Sequence, residues 1–283
     1  MEKDLIWLQT SLFADKSQWA FILHNGVKPF RKDASNEKLI EVLLIEFNYL
    51  SGENIRMAIQ TEARNAELLA SKLDGFFKEF FLSANIYKKQ VTLPVDGIFL
   101  PFPPNTIQYG LYKILANADE LASKIISKTS ACIIEALEND TIDEEVLITF
   151  AFYLHIALIT QLKKLPETNF SSMYNFEIYK NMKDVVDEDY LNQKYVENKD
   201  SLIEIEESIR NYELTELYEN PSWLIEWIKN CKEIIVSQPS ENPRVFVNIR
   251  DNINQQLGLT NNMIMLVNYF IHNIYAEKNL KSQ

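Results

Sequence analysis

The chain has 283 residues, 47% of them apolar and 12% aromatic, which is enough for one large or two small cores and too apolar for a disordered chain. Its 40 acidic side chains outnumber 28 basic ones for a net charge of −12. That field repels phosphate backbones, and no basic cluster offsets it, so nucleic acid is not an expected ligand. Cys132 and Cys231 stand alone in helical patterns without metal-ligand spacing, a usage that fits buried free thiols in a reducing, cytoplasmic compartment.

The opening Met1-Glu-Lys-Asp-Leu-Ile-Trp-Leu8 has no basic region followed by a long apolar run, so no signal peptide is expected. Residues 5–13 read as a strand with Trp7 as a large anchor, and 16–27 as a short helix ended by Gly26 and then Pro29. The run 39–49 is apolar and partly β-branched. After Gly52, Ile55, Met57 and Ile59 alternate with Asn54, Arg56 and Ala58, so the segment reads as strand, glycine turn, strand. The alternation puts Arg56 in line with Asn54 and Ala58, on the opposite face from Ile55 and Met57. A guanidinium held there can clamp a carboxylate through two parallel hydrogen bonds; a solvated strand arginine is the ordinary alternative.

Thr61 is placed to cap a helix over 62–81, whose Leu69, Leu73, Phe76, Phe77, Phe80 and Phe81 form a core stripe. Residues 91–100 suggest a strand interrupted by Pro94 and Gly97, and Pro101-Phe-Pro-Pro104 a rigid loop. Asn117 with Glu120, and Thr141 with Glu144, are capping-box patterns before long apolar helices. The most apolar window, 146–159, is shorter than the roughly 20 residues needed to cross a bilayer. It reads as a buried core helix, with His155 a satisfied core histidine, and no membrane partner is expected. Residues 166–220 are acidic and tyrosine-rich, as in a solvated insertion. Trp223, Leu224, Trp227, Ile228 and Cys231 restore an apolar helix, prolines 239 and 243 break it, and 245–275 supply closing helices joined near Gly258 and Thr260.

The expected fold class is α+β: a small, mostly antiparallel sheet with flanking helices at the N-terminal end (1–116) and a larger helical portion (117–283) in a single unit. The three histidines, His24, His155 and His272, are far apart, and no zinc pattern, Gly-rich phosphate loop or Gly-x-Ser-x-Gly elbow occurs. No metal and no cofactor are therefore expected.

Four patches resemble the carboxy-terminal elimination domain of the lantibiotic and thiopeptide dehydratases, a domain that also occurs as a stand-alone thiopeptide-type bacteriocin biosynthesis protein. Trp7-Leu-Gln-Thr-Ser-Leu-Phe13, followed by a helix and Val27-Lys-Pro29, resembles the family's entry strand and first helix. Phe47-Asn-Tyr49 and Gly52-Glu-Asn-Ile-Arg-Met-Ala58 are similar to its Phe-Ile-Arg-Tyr, turn, Gly-Pro-His-Ile-Arg-Leu-Arg signature. Pro104-Asn-Thr-Ile-Gln-Tyr-Gly110 sits where the family carries Glu-Arg-Tyr-Gly, with 117–137 resembling the next helix. Arg250-Asp-Asn-Ile-Asn-Gln-Gln-Leu-Gly-Leu259 resembles its His-Met-His-Leu-Asn-Arg-Leu-Leu-Gly-Leu stretch.

The resemblance implies a cofactor-free protein acting on a ribosomally made precursor peptide. In members that eliminate glutamate, hairpin arginines and a histidine of the last patch serve the reaction. In this chain Asn48 replaces the first arginine, Asn54 the hairpin histidine and Ala58 the last hairpin arginine. Ile107 and Gln108 replace Glu-Arg, Arg250 and Asn252 replace both histidines of the last patch, and Gln255 replaces its arginine. Arg56, Tyr109 and Asn254 persist among the polar positions.

Elimination needs removal of an α-proton, stabilisation of enolate-like charge and a cationic grip on the departing carboxylate. Asparagine cannot shuttle a proton and arginine stays protonated. The proton work would then fall to Tyr49, Tyr109 or Lys113. The resemblance thus names Arg56, Tyr109 and Arg250 as catalytic candidates, and Asn48, Tyr49, Asn54, Asn252 and Asn254 as substrate-binding ones. It implies a precursor peptide and a larger, glutamylating dehydratase protein as partners, and leaves a homodimer open. Two activities follow from it: glutamate elimination, or the related branch that joins two dehydroalanines by formal cycloaddition, which depends on holding the peptide and polarising an amide. The alternative is a catalytically degenerate subunit that binds the peptide or the dehydratase.

Overall fold

The structure is a computed structural model that describes residues 4–83, 101–111, 120–137, 141–163, 187–211, 221–236 and 243–281. The chain is α+β, as expected, and its residues group into two compact units. One holds 1–143 with 255–258; the other holds 144–254 with 259–283. The helix that follows the sheet belongs to the first of these units.

In the sheet unit four antiparallel strands, β1 (Leu5–Phe13), β2 (Val42–Asn48), β3 (Asn54–Glu62) and β4 (Thr106–Tyr109), lie in the order β2-β3-β1-β4. Apolar alternation sets the register: Ile45 pairs with Met57 and Phe47 with Ile55 across the hairpin, and Thr10 with Met57 and Leu12 with Ile55 on the other side. Because paired residues share a face, these side chains line one side of the sheet. There Phe47 stacks on Trp19, ring centroids 4.7 Å apart. On the other side Leu44 and Ala58 pack with Ile126 of α4 (Glu120–Ala136).

The first helical segment does not end at Gly26. Helix α1 (Trp19–Ile22) passes through a wide π turn at Leu23–Val27 into α2 (Lys28–Asn36). Lys28 N–H bonds the Leu23 carbonyl five residues back, and this widening accommodates Pro29, which has no N–H for the ordinary ladder. Gly26 serves packing instead: a Cβ there would lie 3.2–3.3 Å from the rings of Phe77 and Phe80. Those rings belong to α3 (Ala66–Ser83), whose Leu69, Leu73 and Phe77 are buried as the stripe required. Thr61 does not cap that helix; it is the penultimate residue of β3 and donates to the Leu39 carbonyl at 2.6 Å. Trp7 is no core anchor either, being 38% exposed. The strand expected at 91–100 and the Asn117 capping box lie outside the described residues.

The outer edge of β2 is closed by side chains. Ser130 Oγ accepts from Ile45 N–H at 2.9 Å, and Gln256 Nε2 lies 3.0 Å from the Ile45 carbonyl and 2.8 Å from Ser130 Oγ. With the groups of its central residue taken, this edge is a poorer template for another strand. Gly258 fixes the approach of the Gln256 segment. Its φ is +60°, and a Cβ would stand 2.6 Å from the Phe47 carbonyl oxygen.

In the helical unit α5 (Glu144–Leu162) is the one helix among the described residues whose length and composition would allow it to cross a membrane. It is longer than the apolar window suggested, and thirteen of its side chains are buried. Helices α6 (Glu188–Arg210), α7 (Ser222–Val236) and α9 (Asn261–Lys281) pack on it. Trp227 of α7 donates its indole N–H to the Leu154 carbonyl at 3.0 Å. Much of the acidic stretch read as a solvated insertion is thus the core-facing helix α6, with Leu191, Tyr195, Leu202 and Ile209 buried. The last helices are α8 (Pro243–Gln256) and α9, joined at Gly258 as expected. Cys132 and Cys231 are buried free thiols.

The backbone at Gly258 yields a test. Gly258→Ala combines a left-handed φ with a clash against backbone that cannot swing aside, so we expect a loss of about 2 kcal/mol or more. Urea unfolding of both proteins would measure it.

Candidate functional site

Arg56 does meet a carboxylate, but one from its own chain. Glu46 on β2 is its cross-strand partner, and Arg56 Nη1 lies 3.0 Å from Glu46 Oε1, with side chains 10% and 3% exposed. Two more donors hold Glu46: Asn48 Nδ2 at 2.7 Å and Gln255 Nε2 at 3.2 Å. The signal for Glu46 in the sequence is a lone acidic residue within the apolar run Leu43-Leu-Ile-Glu-Phe47. The hairpin register is what pairs it with Arg56.

The register extends this pair into a polar row. Glu46 faces Arg56, Arg56 faces Ser11 on β1, and Ser11 faces Gln108 on β4. Gln108 occupies the position at which the resemblance expects an arginine. Beside the row, Asn48 pairs with Asn54, and both close the hairpin turn. Asn48 Oδ1 accepts from Leu50 N–H at 2.8 Å, while Asn54 Nδ2 donates to the carbonyls of Gly52 at 2.7 Å and Leu50 at 3.2 Å. Fully buried Asn54 is thus engaged with backbone. Tyr49 is 39% exposed at the turn, its ring 5.4 Å from that of Trp19.

Tyr109 does not share this face. It pairs with Thr10, one residue out of step with the Arg56 row, and so projects to the α3 side. Its hydroxyl donates to Asp74 Oδ1 of α3 at 2.9 Å. Desolvation first, and then the hydrogen bond to Asp74, raise its pKa above the usual phenol value, which keeps it protonated and unsuited to act as a base. The bond from Lys78, followed by that from Tyr109, lowers the pKa of Asp74. Lys113 lies outside the described residues.

Arg250, Asn252 and Asn254 belong to the helical unit. Arg250 Nε and Nη2 donate to Asp251 Oδ1 at 2.9 and 2.7 Å. Asn252 is half-buried. Asn254 Oδ1 lies 2.9 Å from Nε2 of His155, which is 1% exposed. With the ring neutral and Nε2 protonated, His155 donates this bond. Burial drives its pKa down to about 4; the bond to Asn254 opposes this and the charge of Arg250 adds to it. His155 is the satisfied core histidine that its helical setting suggested. Among the described residues no group of three or more His, Cys, Asp and Glu side chains is arranged to hold a metal ion.

The fold is shared with solved structures of three proteins. The chain is similar to the pyridine synthase TbtD from thiomuracin biosynthesis, with a TM-score of 0.71, 17% identity and 98% of each chain covered. It is also similar to TsrL, with a TM-score of 0.64, 12% identity, and 97% of this chain and 95% of that one covered. A third similar structure is the tRNA-dependent lantibiotic dehydratase MibB from Microbispora sp. 107891, with a TM-score of 0.63 and 11% identity. That likeness spans 98% of this chain but 28% of that protein. No protein-family model matches the sequence, and no curated protein matches it. What the three structures share with this chain is the fold.

Two outcomes follow from the charges. Arg56→Met strands a buried Glu46, and Glu46→Leu strands a buried guanidinium; each should cost about 3–5 kcal/mol, whereas the double variant should regain most of the loss. Denaturant titration of the three variants closes the cycle. His155 takes up a proton near pH 6.5 when unfolded and near 4 when folded. Its contribution is complete above 6.5 and is lost as the pH falls through that window, by on the order of 3 kcal/mol in all. His155→Gln should flatten the slope of stability against pH between 6.5 and 4, measured by chemical denaturation across that range.

Proposed function

We propose that the chain is a modifying protein of ribosomal-peptide biosynthesis that acts on an already dehydrated precursor peptide, joining dehydroalanine residues by cofactor-free ring formation. The observation that carries this reading is the likeness to the pyridine synthase, with a TM-score of 0.71, together with a polar row that holds no histidine and whose one carboxylate, Glu46, is engaged by Arg56. The candidate site agrees. Glutamate elimination needs a titratable base and a cation able to receive the departing carboxylate. His155 is buried and held neutral, Tyr109 is held protonated, and Arg56 already faces Glu46. Ring formation asks chiefly for two peptide segments held in contact and an amide polarised by fixed hydrogen-bond donors. In the polar row Arg56, Ser11 and Gln108 carry such donors on the sheet, with Arg56 as the polarising charge and the accepting carboxylate of Glu46 fixing its position.

A second reading is favoured by the same ion pair. If the internal carboxylate satisfies Arg56 fully, the chain binds the peptide and presents it to another protein without chemistry of its own.

Incubation with a thiopeptide-type precursor carrying two dehydroalanines, and separately with its glutamylated form, separates the readings. Tandem mass spectrometry should show a new link between the two dehydroalanine positions in the first peptide and no loss of glutamate from the second. The folded double variant Arg56→Met/Glu46→Leu should lose ring formation by about 10²-fold or more. Glutamate loss would return the assignment to elimination, and tight binding without any new link would establish the presenting role.

A further inference from the structure

The carboxylate of Glu46 divides its contacts between its two oxygens. Oε1 accepts from Arg56 Nη1 at 3.0 Å and from Asn48 Nδ2 at 2.7 Å, whereas Oε2 accepts from Gln255 Nε2 at 3.2 Å. The ion pair is therefore made end-on, through one guanidinium nitrogen and one oxygen. An arginine and a carboxylate that meet without interference favour the opposite arrangement, because two parallel N–H···O bonds make the stronger contact. Asn48 does not stand in the way of that arrangement, since it donates to the same oxygen as Arg56. The group on the second oxygen is Gln255.

Gln255 is delivered to that oxygen by its neighbours. Gln256 beside it reaches the Ile45 carbonyl and Ser130, Leu257 is buried, and Gly258 N–H bonds the Gln255 carbonyl at 2.9 Å where the chain turns against Phe47. Gln255 itself is exposed, yet its amide reaches inward to a carboxylate that is only 3% exposed. The segment is thus seated by residues 256–258, and the side chain at 255 can change without unseating it. An amide also suits the position chemically. It donates one bond without bringing a charge, whereas an acid would repel Glu46 and an apolar side chain would leave Oε2 to other donors.

We infer that Gln255 is a positioning residue of the candidate site: by occupying Oε2 of Glu46 it prevents the guanidinium of Arg56 from closing both arms on the carboxylate. The end-on contact fixes where the charge sits and leaves more of it to the rest of the row, in which Ser11 faces Arg56 and Gln108 faces Ser11. A two-nitrogen pair would bring the opposite charges closer along their whole width and cancel more of that field. The inference rests on the reading of Arg56 as the charge that polarises a peptide amide, and adds what sets the strength of that charge.

Two substitutions of similar length separate donation from packing. Gln255→Met removes the donor, and Gln255→Lys keeps one that can reach Oε2. Crystal structures of both beside the wild type read the contact directly. In Gln255→Met a second nitrogen of Arg56 should come within hydrogen-bond distance of Glu46 Oε2, and in Gln255→Lys the contact should stay end-on. With a thiopeptide-type precursor carrying two dehydroalanines as substrate, Gln255→Met should lower kcat about tenfold and leave KM unchanged, because polarisation acts in the transition state. Gln255→Lys should restore at least the wild-type rate.

An Arg56 that stays end-on in Gln255→Met, with water taking the place of the amide on Oε2, overturns the inference. An unchanged kcat alongside a two-nitrogen contact overturns it as well, and so does an equal loss of rate in both variants, which would mark a packing role. Absence of ring formation by the wild-type protein removes the ring-forming reading instead. The crystal structures then decide by themselves whether Gln255 sets the Arg56 contact, so the two failures are told apart.

Discussion

The sheet unit is organised around one buried ion pair. A glutamate and an arginine taken out of water on adjacent strands are stable only if each is met closely and in the right register, since the solvation lost by two charges exceeds what an ill-placed partner returns. That requirement fixes the β2–β3 hairpin more tightly than apolar alternation alone. A slip of one residue would leave the apolar pattern wrong, and a slip of two would leave each charge opposite a neighbour that cannot answer it. Asn48 connects the pair to the turn and Gln255 connects it to the segment that covers the β2 edge. Register, turn and edge are therefore one construction.

Such a construction suits binding work on a backbone substrate. A sheet whose strands cannot slide presents donors at constant spacing, and preorganised donors polarise an amide without having to reorient when charge develops. The glutamate meets the charge of the arginine and so prevents it from capturing stray anions. The histidine of the helical unit is placed to do the reverse of acid–base work: buried, neutral and bonded to Asn254, it ties α5 to α8.

Much of this is legible in the residues. The span of β1, the hairpin with Arg56 turned away from Ile55 and Met57, the stripe on α3 and the closing helices follow from period and composition. What the residues conceal has identifiable physical causes. Glu46 is masked by its apolar neighbours, which leaves the arginine with no evident partner inside the chain. Motif order groups Tyr109 with Arg56, although parity along a short strand decides the face and Gln108, not Tyr109, falls in line. Gly26 and Pro29 signal a helix end unless a wide turn absorbs the proline and close aromatic packing requires the glycine. The acidic stretch conceals α6 because its apolar residues are sparse, spaced for one narrow contact line among many charges.

The capped edge of β2 has an implication for biogenesis. Gln256 reaches Ile45 across 211 positions of chain, so during synthesis the strands are complete long before their cover emerges from the ribosome. Until residues 255–258 emerge, only Ser130 can guard that border of the nascent sheet, and Gln256 completes the seal. A chain built in this order gains its resistance to sticking to its neighbours last, which places the burden of keeping it apart from them on whatever attends it while it is still being made.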